Sequence, residues 1–287
     1  MKEFTYQDIE DYYDQTEVHY RTWWKLEKSL GLHYGVWDEK TKTTADAIIN
    51  LNRVLMELGE LKENDRVLDA GCGVGGSSFY LAENINCRTS GVTLSQKQVD
   101  SASQKAKEKG LEKQCDFLKC SYTETPFDAS SFDAAWAIES LGSAQNKGEF
   151  FQEMGRLLKP GGKILIADTL KPKSFDISNN KYMKMMLNGW AISDILSIQE
   201  IKDLASEYGF RLRAEHDASP QIKKSVDQIY WAYLIGRFSS RIYNFIYKKS
   251  VSRFAKIHYK TGLAQKKTFE KGEWKYMLLV FEKEEKK

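Results

Sequence analysis

The sequence has 287 residues, of which 41% are hydrophobic and 29% charged, with a formal net charge of +3. This composition is typical of a folded globular protein and excludes a largely disordered chain. No run of about 18 apolar residues and no basic-then-apolar N-terminus is present, which argues against a transmembrane helix and a signal peptide, so we expect a cytoplasmic protein. The four cysteines, Cys72, Cys87, Cys115 and Cys120, form no C-x-x-C pair, and no disulfide framework or metal site is predicted.

The first 45 residues are rich in tyrosine and tryptophan. Apolar and aromatic residues from Ile9 to Trp24 recur at spacings of three and four, which predicts an amphipathic helix laid over an apolar surface. The run His33-Tyr34-Gly35-Val36-Trp37 follows, in a loop where a ligand could be contacted. Residues 44–58 then have the apolar periodicity of a helix that leads to the first strand.

A glycine-rich turn follows the first predicted strand. Val67 to Ala70 is a short apolar strand, Gly71, Gly73 and Gly75 form the turn, and a helix begins near Ser77. Glycine permits positive φ and lets a ligand approach the backbone closely. The turn alone does not identify the ligand, because dinucleotide-binding folds use a similar device.

Strand and helix patterns alternate after this turn. Ser95 is a predicted N-cap and Gly110 a predicted C-cap of the intervening polar helix. The predicted strands are 89–94, 115–120, 132–137 and 163–168, and the predicted helices are 96–109 and 148–158. This alternation predicts an α/β fold with a parallel sheet, helices on both faces and a ligand site at the carboxyl ends of the strands.

The pattern changes after Asp168. Helices are predicted at 175–187 and 197–208 and strands at 210–216 and 274–281, with a basic, aromatic segment at 221–267 between the two strands. Because the sheet closes after these helices, we expect a helical cap on the same sheet. The predicted organisation is one integrated domain with three parts, which are an N-terminal helical cover (1–60), a ligand-binding core (61–170) and a cap with the final strands (171–287).

Four motifs, in this order, resemble those of the class I S-adenosylmethionine-dependent methyltransferases over residues 60–170. They are Val67-Leu68-Asp69-Ala70-Gly71-Cys72-Gly73, Gly91-Val92-Thr93-Leu94-Ser95, Thr125-Pro126-Phe127 with Ser131-Phe132-Asp133, and Leu157-Leu158-Lys159-Pro160-Gly161-Gly162. The second motif is similar to the branch that contains tocopherol methyltransferases, sterol and isoprenoid C-methyltransferases and cyclopropane fatty-acid synthases. The resemblance implies a Rossmann-like fold, S-adenosylmethionine as cofactor and S-adenosylhomocysteine as product.

The resemblance also implies residues for the methionine end of the cofactor. Backbone amides of Gly71 and Gly73 would approach the methionine and the ribose, and Asp69 would engage the amino group through water. The carbonyl of Ala137 would accept from the same ammonium group. Phenol groups from the N-terminal cover would reach the carboxylate, with Tyr34 as the first candidate and core packing as the alternative for Tyr12.

The implied ribose and adenine contacts depart from the commonest pattern. Thr93 stands where many relatives have a ribose-binding acid, and Leu94 and Gln98 would take over this contact. The departure argues against a nicotinamide cofactor, whose ribose is usually bound by an acid. Ser121 and Tyr122 stand where a carboxylate usually meets adenine.

Glu139 is the predicted catalytic residue. Methyl transfer requires the protein to align the acceptor, exclude water and, for some acceptors, remove a proton. Glu139 follows the fourth predicted strand by two residues, so it should face the ligand; the alternative is a solvated loop carboxylate. Relatives often carry a histidine shortly after this Glu-Ser pair, but here the run is Leu141-Gly142-Ser143-Ala144, which makes His33 the second candidate.

The cap favours a small hydrophobic acceptor. Methionine and aromatic surfaces adapt to flexible apolar ligands, which indicates a lipid-like, isoprenoid or polycyclic molecule; packing of the cap's own core is the alternative for many of these residues. The residues are Tyr182, Met183, Met185, Met186, Trp190, Tyr230, Trp231, Tyr233, Phe238, Tyr243, Phe245 and Tyr247.

The basic segment 221–267 has several interpretations. It contains eleven Lys or Arg and one acidic residue, Asp227, for a formal charge of +10. It could be a solvated helical face, a contact to an anionic membrane, or a site for the diphosphate of a prenyl acceptor. Nucleic acid is disfavoured because no RNA-binding module is visible. An RNA or other polar-substrate methyltransferase and a non-catalytic binding scaffold stay open as alternatives, as does methylation at carbon, oxygen or nitrogen.

Overall fold

The computed structural model describes residues 2–23, 26–246 and 253–284. Its helices are α1 (Tyr6–Trp23), α2 (Leu26–Ser29), α3 (Thr44–Gly59), α4 (Gly76–Ile85), α5 (Gln96–Lys109), α6 (Lys147–Leu157), α7 (Lys181–Gly189), α8 (Ile198–Glu207), α9 (Ser219–Ile246), α10 (Arg253–His258) and α11 (Thr261–Glu270). Its strands are β1 (Arg66–Ala70), β2 (Arg88–Thr93), β3 (Cys115–Lys119), β4 (Phe132–Ile138), β5 (Leu158–Leu170), β6 (Phe210–Asp217) and β7 (Lys275–Lys283).

The strands form a seven-stranded sheet in the order β3-β2-β1-β4-β5-β7-β6. The pairs from β3 to β5 are parallel, whereas β7 runs antiparallel to both β5 and β6. In β1, Asp69 lies opposite Gly91 of β2 and Trp136 of β4, which brings the carboxyl ends of three strands to one edge. The predicted Rossmann-like, mostly parallel sheet is confirmed.

Alternation along the central strands divides the core into two faces. On one face, Val67 and Trp136 pack with residues of α3, α7 and α11. On the other face, Leu68 and Ala135 pack with residues of α6 and α8. The sheet is therefore covered on both sides, as its continuous apolar strands require.

Local capping sets several helix ends. Thr43 forms a capping box with Asp46 at the start of α3, and the predicted N-cap Ser95 accepts from the backbone N–H of Gln98. Gly110 ends α5 with φ of +69°, as predicted for a glycine C-cap. These ends could be read from the sequence because each depends on residues within one turn.

Two predicted elements have different limits in the structure. The predicted helix 175–187 begins only at Lys181, after a short 3-10 turn at Ile177–Asn179. The side chain of Asn180 accepts from the backbone N–H groups of Tyr182 and Met183, so it acts as the N-cap and excludes the preceding residues from the helix. The fifth strand is longer than predicted, since Leu158 already pairs with Phe132 before the Pro-Gly-Gly turn.

The N-terminal cover and the cap lie near the carboxyl edge of the sheet. Helix α1 contacts α10, while α11 contacts both α7 and α9. Among the described helices, none combines the length and apolar character needed to cross a membrane. Trp24 and Tyr247, and the side chains of Tyr243 and Phe245, lie outside what the structure describes. The three-part division stays a prediction, although β6 and β7 do complete the sheet of the core.

Removal of the α3 cap tests the local capping argument. Thr43→Ala should lower the free energy of unfolding by about 1 kcal/mol, because a backbone N–H of the first turn loses its acceptor. Thr43→Ser keeps the hydroxyl and should retain nearly wild-type stability in the same urea titration. Equal loss in both variants would contradict the capping role.

Candidate active site

The turn after β1 is hydrogen-bonded to the end of β2 and packs closely against the chain that follows β4. The backbone N–H groups of Gly71 and Cys72 both donate to the carbonyl of Val92, at 2.9 and 3.0 Å. Gly71 has φ of +89°, and a Cβ there would lie 2.6 Å from the Cβ of Ser140. Any side chain at residue 71 would therefore be strained and would also displace Ser140.

A cavity opens beside this turn, and we call it the cofactor cavity. It lies between the N-terminal cover and the carboxyl ends of β1, β2 and β4. Its walls include eight of the predicted cofactor residues, which are Asp69, Gly71, Gly73, Thr93, Leu94, Gln98, Ser121 and Tyr122. The sequence motifs thus converge on one space, although they are spread over more than 50 positions.

The polar groups of the cofactor cavity are held in place by neighbours. The carboxylate of Asp69 accepts from the Ser78 hydroxyl at 2.7 Å, and burial raises the pKa of Asp69 to about 6. The Thr93 hydroxyl donates to Oε1 of Gln98 at 2.6 Å. The buried hydroxyl of Ser140 also faces this cavity and has no hydrogen-bond partner among the described residues.

A second cavity lies next to the first, and we call it the acceptor cavity. It is bounded by the cover, by the ends of β4 and β5, and by α9 and α11 of the cap. Its walls contain Tyr12, Tyr13, Tyr34, Glu139, Asp168, Trp190, Ile192, Ile229, Tyr233, His258 and Tyr259, among others. Five residues line both cavities, namely Tyr13, Leu32, His33, Glu139 and Ser143. The two spaces therefore meet at one wall.

Glu139 lies at this shared wall. Its Oε1 accepts from the backbone N–H of Tyr34 at 2.7 Å and from the Tyr276 hydroxyl at 2.8 Å. Its φ of +48° is uncommon for a residue with a side chain and turns the carboxyl group toward the cavities. Burial raises the pKa of Glu139 to about 8, and nearby Asp168 adds to the increase. Glu139 is thus not a solvated loop carboxylate.

His33 also lies at the shared wall but is a weaker base. Its Nδ1 is 2.9 Å from the carbonyl of Tyr34, and since a carbonyl only accepts, Nδ1 carries the proton. Burial lowers the pKa of His33 to about 4, so the ring is neutral near pH 7. A group with a pKa near the working pH is the better proton acceptor, which favours Glu139 over His33.

Two predicted cofactor residues lie outside the lining of the cofactor cavity. The Tyr34 hydroxyl donates to Gln265, and the ring lines the acceptor cavity instead. Ala137 is fully buried within β4, and the chain reaches the cavity only at Ile138 to Ser140. Their predicted contacts with the methionine end of the cofactor stay predictions. Tyr12 likewise faces the acceptor cavity, where its hydroxyl lies 3.3 Å from Nε2 of His258.

Sequence reasoning missed two residues that line the acceptor cavity, one of which also lines the cofactor cavity. Asp168 ends the apolar run of β5 and lines the acceptor cavity; an acid at the carboxyl end of a parallel strand was the signal that could have found it. Tyr13 lines both cavities, and burial raises its pKa to about 12. Nothing in the spacing separates Tyr13 from Tyr12, because adjacent helical residues differ only in direction.

Comparison with known proteins identifies the central part of the chain. Residues 68–166 match the family described as "Methyltransferase domain". A 27-O-demethylrifamycin SV methyltransferase of Amycolatopsis mediterranei is 27% identical over 197 residues, covering 68% of this chain and 71% of the relative. A sterol 24-C-methyltransferase of Kluyveromyces lactis is 26% identical over 229 residues, covering 78% and 60%. The chain spans 42 to 71% of the length of the first curated relatives it matches.

Solved structures share the whole fold. The [4+2]-cyclase SpnF superposes with a TM-score of 0.79 at 21% identity, covering 99% of this chain and 98% of that one. A geranyl diphosphate C-methyltransferase from Streptomyces coelicolor A3(2), determined with Mg²⁺, geranyl diphosphate and S-adenosyl-L-homocysteine, superposes with a TM-score of 0.72 at 18% identity, covering 97% of both chains. At such identities the likeness establishes the fold alone.

The fold, the glycine turn and the family match define an α/β enzyme core that binds its ligand at the carboxyl edge of the sheet. Residues 68–166 form a methyltransferase domain, the sheet has the Rossmann-like fold of the class I S-adenosylmethionine-dependent methyltransferases, and S-adenosylmethionine is the cofactor. The cofactor cavity fits such a group in two respects: residue 71 leaves room for close approach, and the buried Ser140 hydroxyl lacks a protein partner.

Substitution of the turn glycine tests the cofactor cavity. Gly71→Ala should weaken S-adenosylhomocysteine binding by about tenfold or more, since both the backbone and Ser140 must shift. Gly110→Ala is the matched control, because its φ is also positive but no described atom lies within 4 Å of the added Cβ. Calorimetry should show wild-type affinity in the control. Wild-type affinity in Gly71→Ala would contradict the assignment.

Proposed function

We propose that this protein transfers the methyl group of S-adenosylmethionine to a small hydrophobic acceptor in the acceptor cavity. The observation that carries the proposal is the shared wall: Glu139 and four other residues line both cavities. An acceptor in one cavity and a cofactor in the other would thus lie against the same five residues. Alignment of two reactants in this way converts a bimolecular step into an effectively unimolecular one and can lower the barrier by about 7–11 kcal/mol.

The walls of the acceptor cavity support an apolar acceptor. The Tyr34 ring packs edge-on against Trp190, with ring centroids 6.3 Å apart, and stacks on Trp274 at 5.9 Å. These contacts fix a rigid aromatic wall, and such walls favour flat or branched hydrocarbon over a polar metabolite. Of the predicted cap residues, Trp190 and Tyr233 do line the cavity, whereas Met183 and Met186 are fully buried in the core.

Glu139 is the proposed general base. The cofactor supplies an electrophilic methyl group on a sulfonium, and the thioether it leaves needs no proton. An acceptor that gains a methyl group and must then lose a proton requires a base, and Glu139 lies where both ligands meet. Its raised pKa of about 8 suits this task near neutral pH.

The sterol and rifamycin relatives support a lipid-like or polycyclic acceptor, but they do not choose between carbon and oxygen as the methylated atom. An RNA enzyme would label RNA from methyl-labelled cofactor and lose the signal on nuclease treatment. A non-catalytic scaffold would bind S-adenosylhomocysteine and label nothing. Incubation with a lipid-and-metabolite extract, followed by mass analysis, therefore distinguishes the three functions.

Neutralisation of Glu139 tests the proposed base. Glu139→Gln keeps Oε1, which accepts both hydrogen bonds, but cannot take a proton. We expect turnover to fall about 100-fold or more, with little change in cofactor affinity. In the wild type, turnover should rise with pH as Glu139 loses its proton near pH 8, and the variant should lose this rise.

The control is Glu112→Gln, which makes the same chemical change on an exposed residue. It should retain wild-type turnover and pH dependence. Unchanged turnover in Glu139→Gln would remove Glu139 from the mechanism.

We also infer that α9 contacts an anionic membrane, from which a lipophilic acceptor is drawn. Trp231, Ile235 and Phe238 are 62, 66 and 59% exposed and lie on one stripe of the helix at spacings of four and three. Lys224 lies on the same stripe, one heptad before Trp231. Aromatic and apolar groups beside cationic ones are the combination that binds lipid surfaces.

Vesicle sedimentation tests this contact. The protein should co-sediment with phosphatidylserine-containing vesicles, and less with neutral ones or in high salt. Ile235→Ala should weaken sedimentation several-fold, because it removes apolar area from the stripe. Ile49→Ala, at an exposed isoleucine on α3, should have no effect. Equal sedimentation of both variants would contradict the assignment to α9.

A further inference from the structure

We infer that the acceptor cavity selects by charge: it takes an acceptor whose reacting end is neutral, or is a protonated amine that loses its proton before it attacks, and it rejects phosphate and diphosphate esters. Asp168, together with Glu139, is the specificity determinant. This inference rests on the proposed function, because it describes the ligand of the same site. It argues against the interpretation of the basic segment as a diphosphate site, since such a site would require cations that face the cavity.

The lining of the acceptor cavity carries acids without matching cations. Among the described residues, no lysine or arginine lines it, whereas Glu139 and Asp168 both do. Of its two histidines, His33 adds no positive charge. His33 is neutral near pH 7 because burial lowers its pKa to about 4, and His258 is buried with Nε2 beside the Tyr12 hydroxyl.

Two described cations of the basic segment form ion pairs with acids that do not line the acceptor cavity. Lys266 pairs with Asp227 at 2.5 Å and with Glu270 at 2.9 Å. Arg253 pairs with Asp8 at 3.0 Å on the outside of the cover. These two cations are therefore not available to a ligand in the acceptor cavity, and no other described lysine or arginine of the segment lines it.

Asp168 is a buried carboxylate with part of its solvation replaced by protein. It accepts from the backbone N–H of Thr169 at 2.7 Å and of Gly142 at 3.3 Å. Lys147 is the cation whose charge favours its ionised form, but Nζ of Lys147 donates to the carbonyls of Gly142 and Ala144 and does not line the cavity. Burial raises the pKa of Asp168 to about 6 and that of Glu139 to about 8, so near pH 7 Asp168 carries the negative charge and Glu139 is largely protonated. A positive group in the cavity would favour the ionised form of both.

The aromatic walls add to the same preference. Tyr12, Tyr13, Tyr34, Trp190 and Tyr233 line the cavity beside the two acids. The face of an aromatic ring attracts a cation, and several rings around one space form the arrangement that binds quaternary ammonium groups. An anion would meet the Asp168 carboxylate in a space lined by aromatic rings, where burial removes the water that could screen the repulsion.

The reaction itself makes such a cavity useful. When a neutral carbon or nitrogen nucleophile attacks, its electron pair forms the new bond to the methyl carbon, and the carbon–sulfur bond breaks with its pair retained by sulfur. One positive charge thus moves from the sulfonium to the acceptor. Where the product loses a proton, Glu139 receives it and the charge is neutralised. Fixed negative groups at the place where positive charge develops stabilise the transition state.

Matched single-chain probes test the charge selection. With saturating S-adenosylhomocysteine, decyltrimethylammonium should bind about tenfold more tightly than decanol, and decyl phosphate more weakly than decanol. Asp168→Asn should reduce the preference for the ammonium probe several-fold and leave decanol binding unchanged. Asp100→Asn, on the exposed side of α5, is the control and should retain the wild-type order.

If Asp168→Asn fails to fold, the order in which the wild-type protein binds the three probes decides the inference by itself. Decyl phosphate, or geranyl diphosphate with Mg²⁺, binding as tightly as the ammonium probe would overturn it, and so would absence of binding by every probe. Failure of the proposed function has a different signature, since S-adenosylhomocysteine itself would not bind.

Discussion

The contact between the turn after β1 and the end of β4 is the constraint on which the site depends. At Gly71 the two segments approach so closely that a single methyl group would meet Ser140. This approach brings the glycine turn, which lines the cofactor cavity, beside the loop that carries Glu139. Parallel strands end at a common edge, but it is the missing side chain at residue 71 that lets these two ends meet.

Glu139 joins the three parts of the chain at this edge. It belongs to the core, accepts from the backbone of Tyr34 in the N-terminal cover, and accepts from the hydroxyl of Tyr276 in the last strand. One carboxyl group therefore links the cover and the strand that follows the cap to the core through hydrogen bonds. Its uncommon backbone conformation is compatible with the fold because these partners fix it.

Charge is distributed in opposite senses over the surface and the interior. In the described part of the basic segment, Lys266 and Arg253 form ion pairs, and Lys224 lies on the exposed apolar stripe of α9. The acceptor cavity instead contains two acids among aromatic rings. The proposed attraction to an anionic membrane and the proposed selection of acceptors by charge would thus depend on different residues, and the net charge of the chain does not separate them.

Sequence by itself determined whatever depends on neighbours in the chain: the Ser95 and Gly110 caps, the glycine turn, and the alternation that fixes a parallel sheet. Its motifs, through their resemblance to a known family, also pointed to eight residues that line the cofactor cavity. Only the tertiary structure decided which neighbouring side chain faces which space. Tyr13 lines both cavities where Tyr12 lines one, Ser140 reaches the cofactor cavity where Ala137 is buried, and Asp168 joins Glu139 from another strand. The physical reason is that side-chain direction and burial are set by packing between distant segments, which local spacing does not encode.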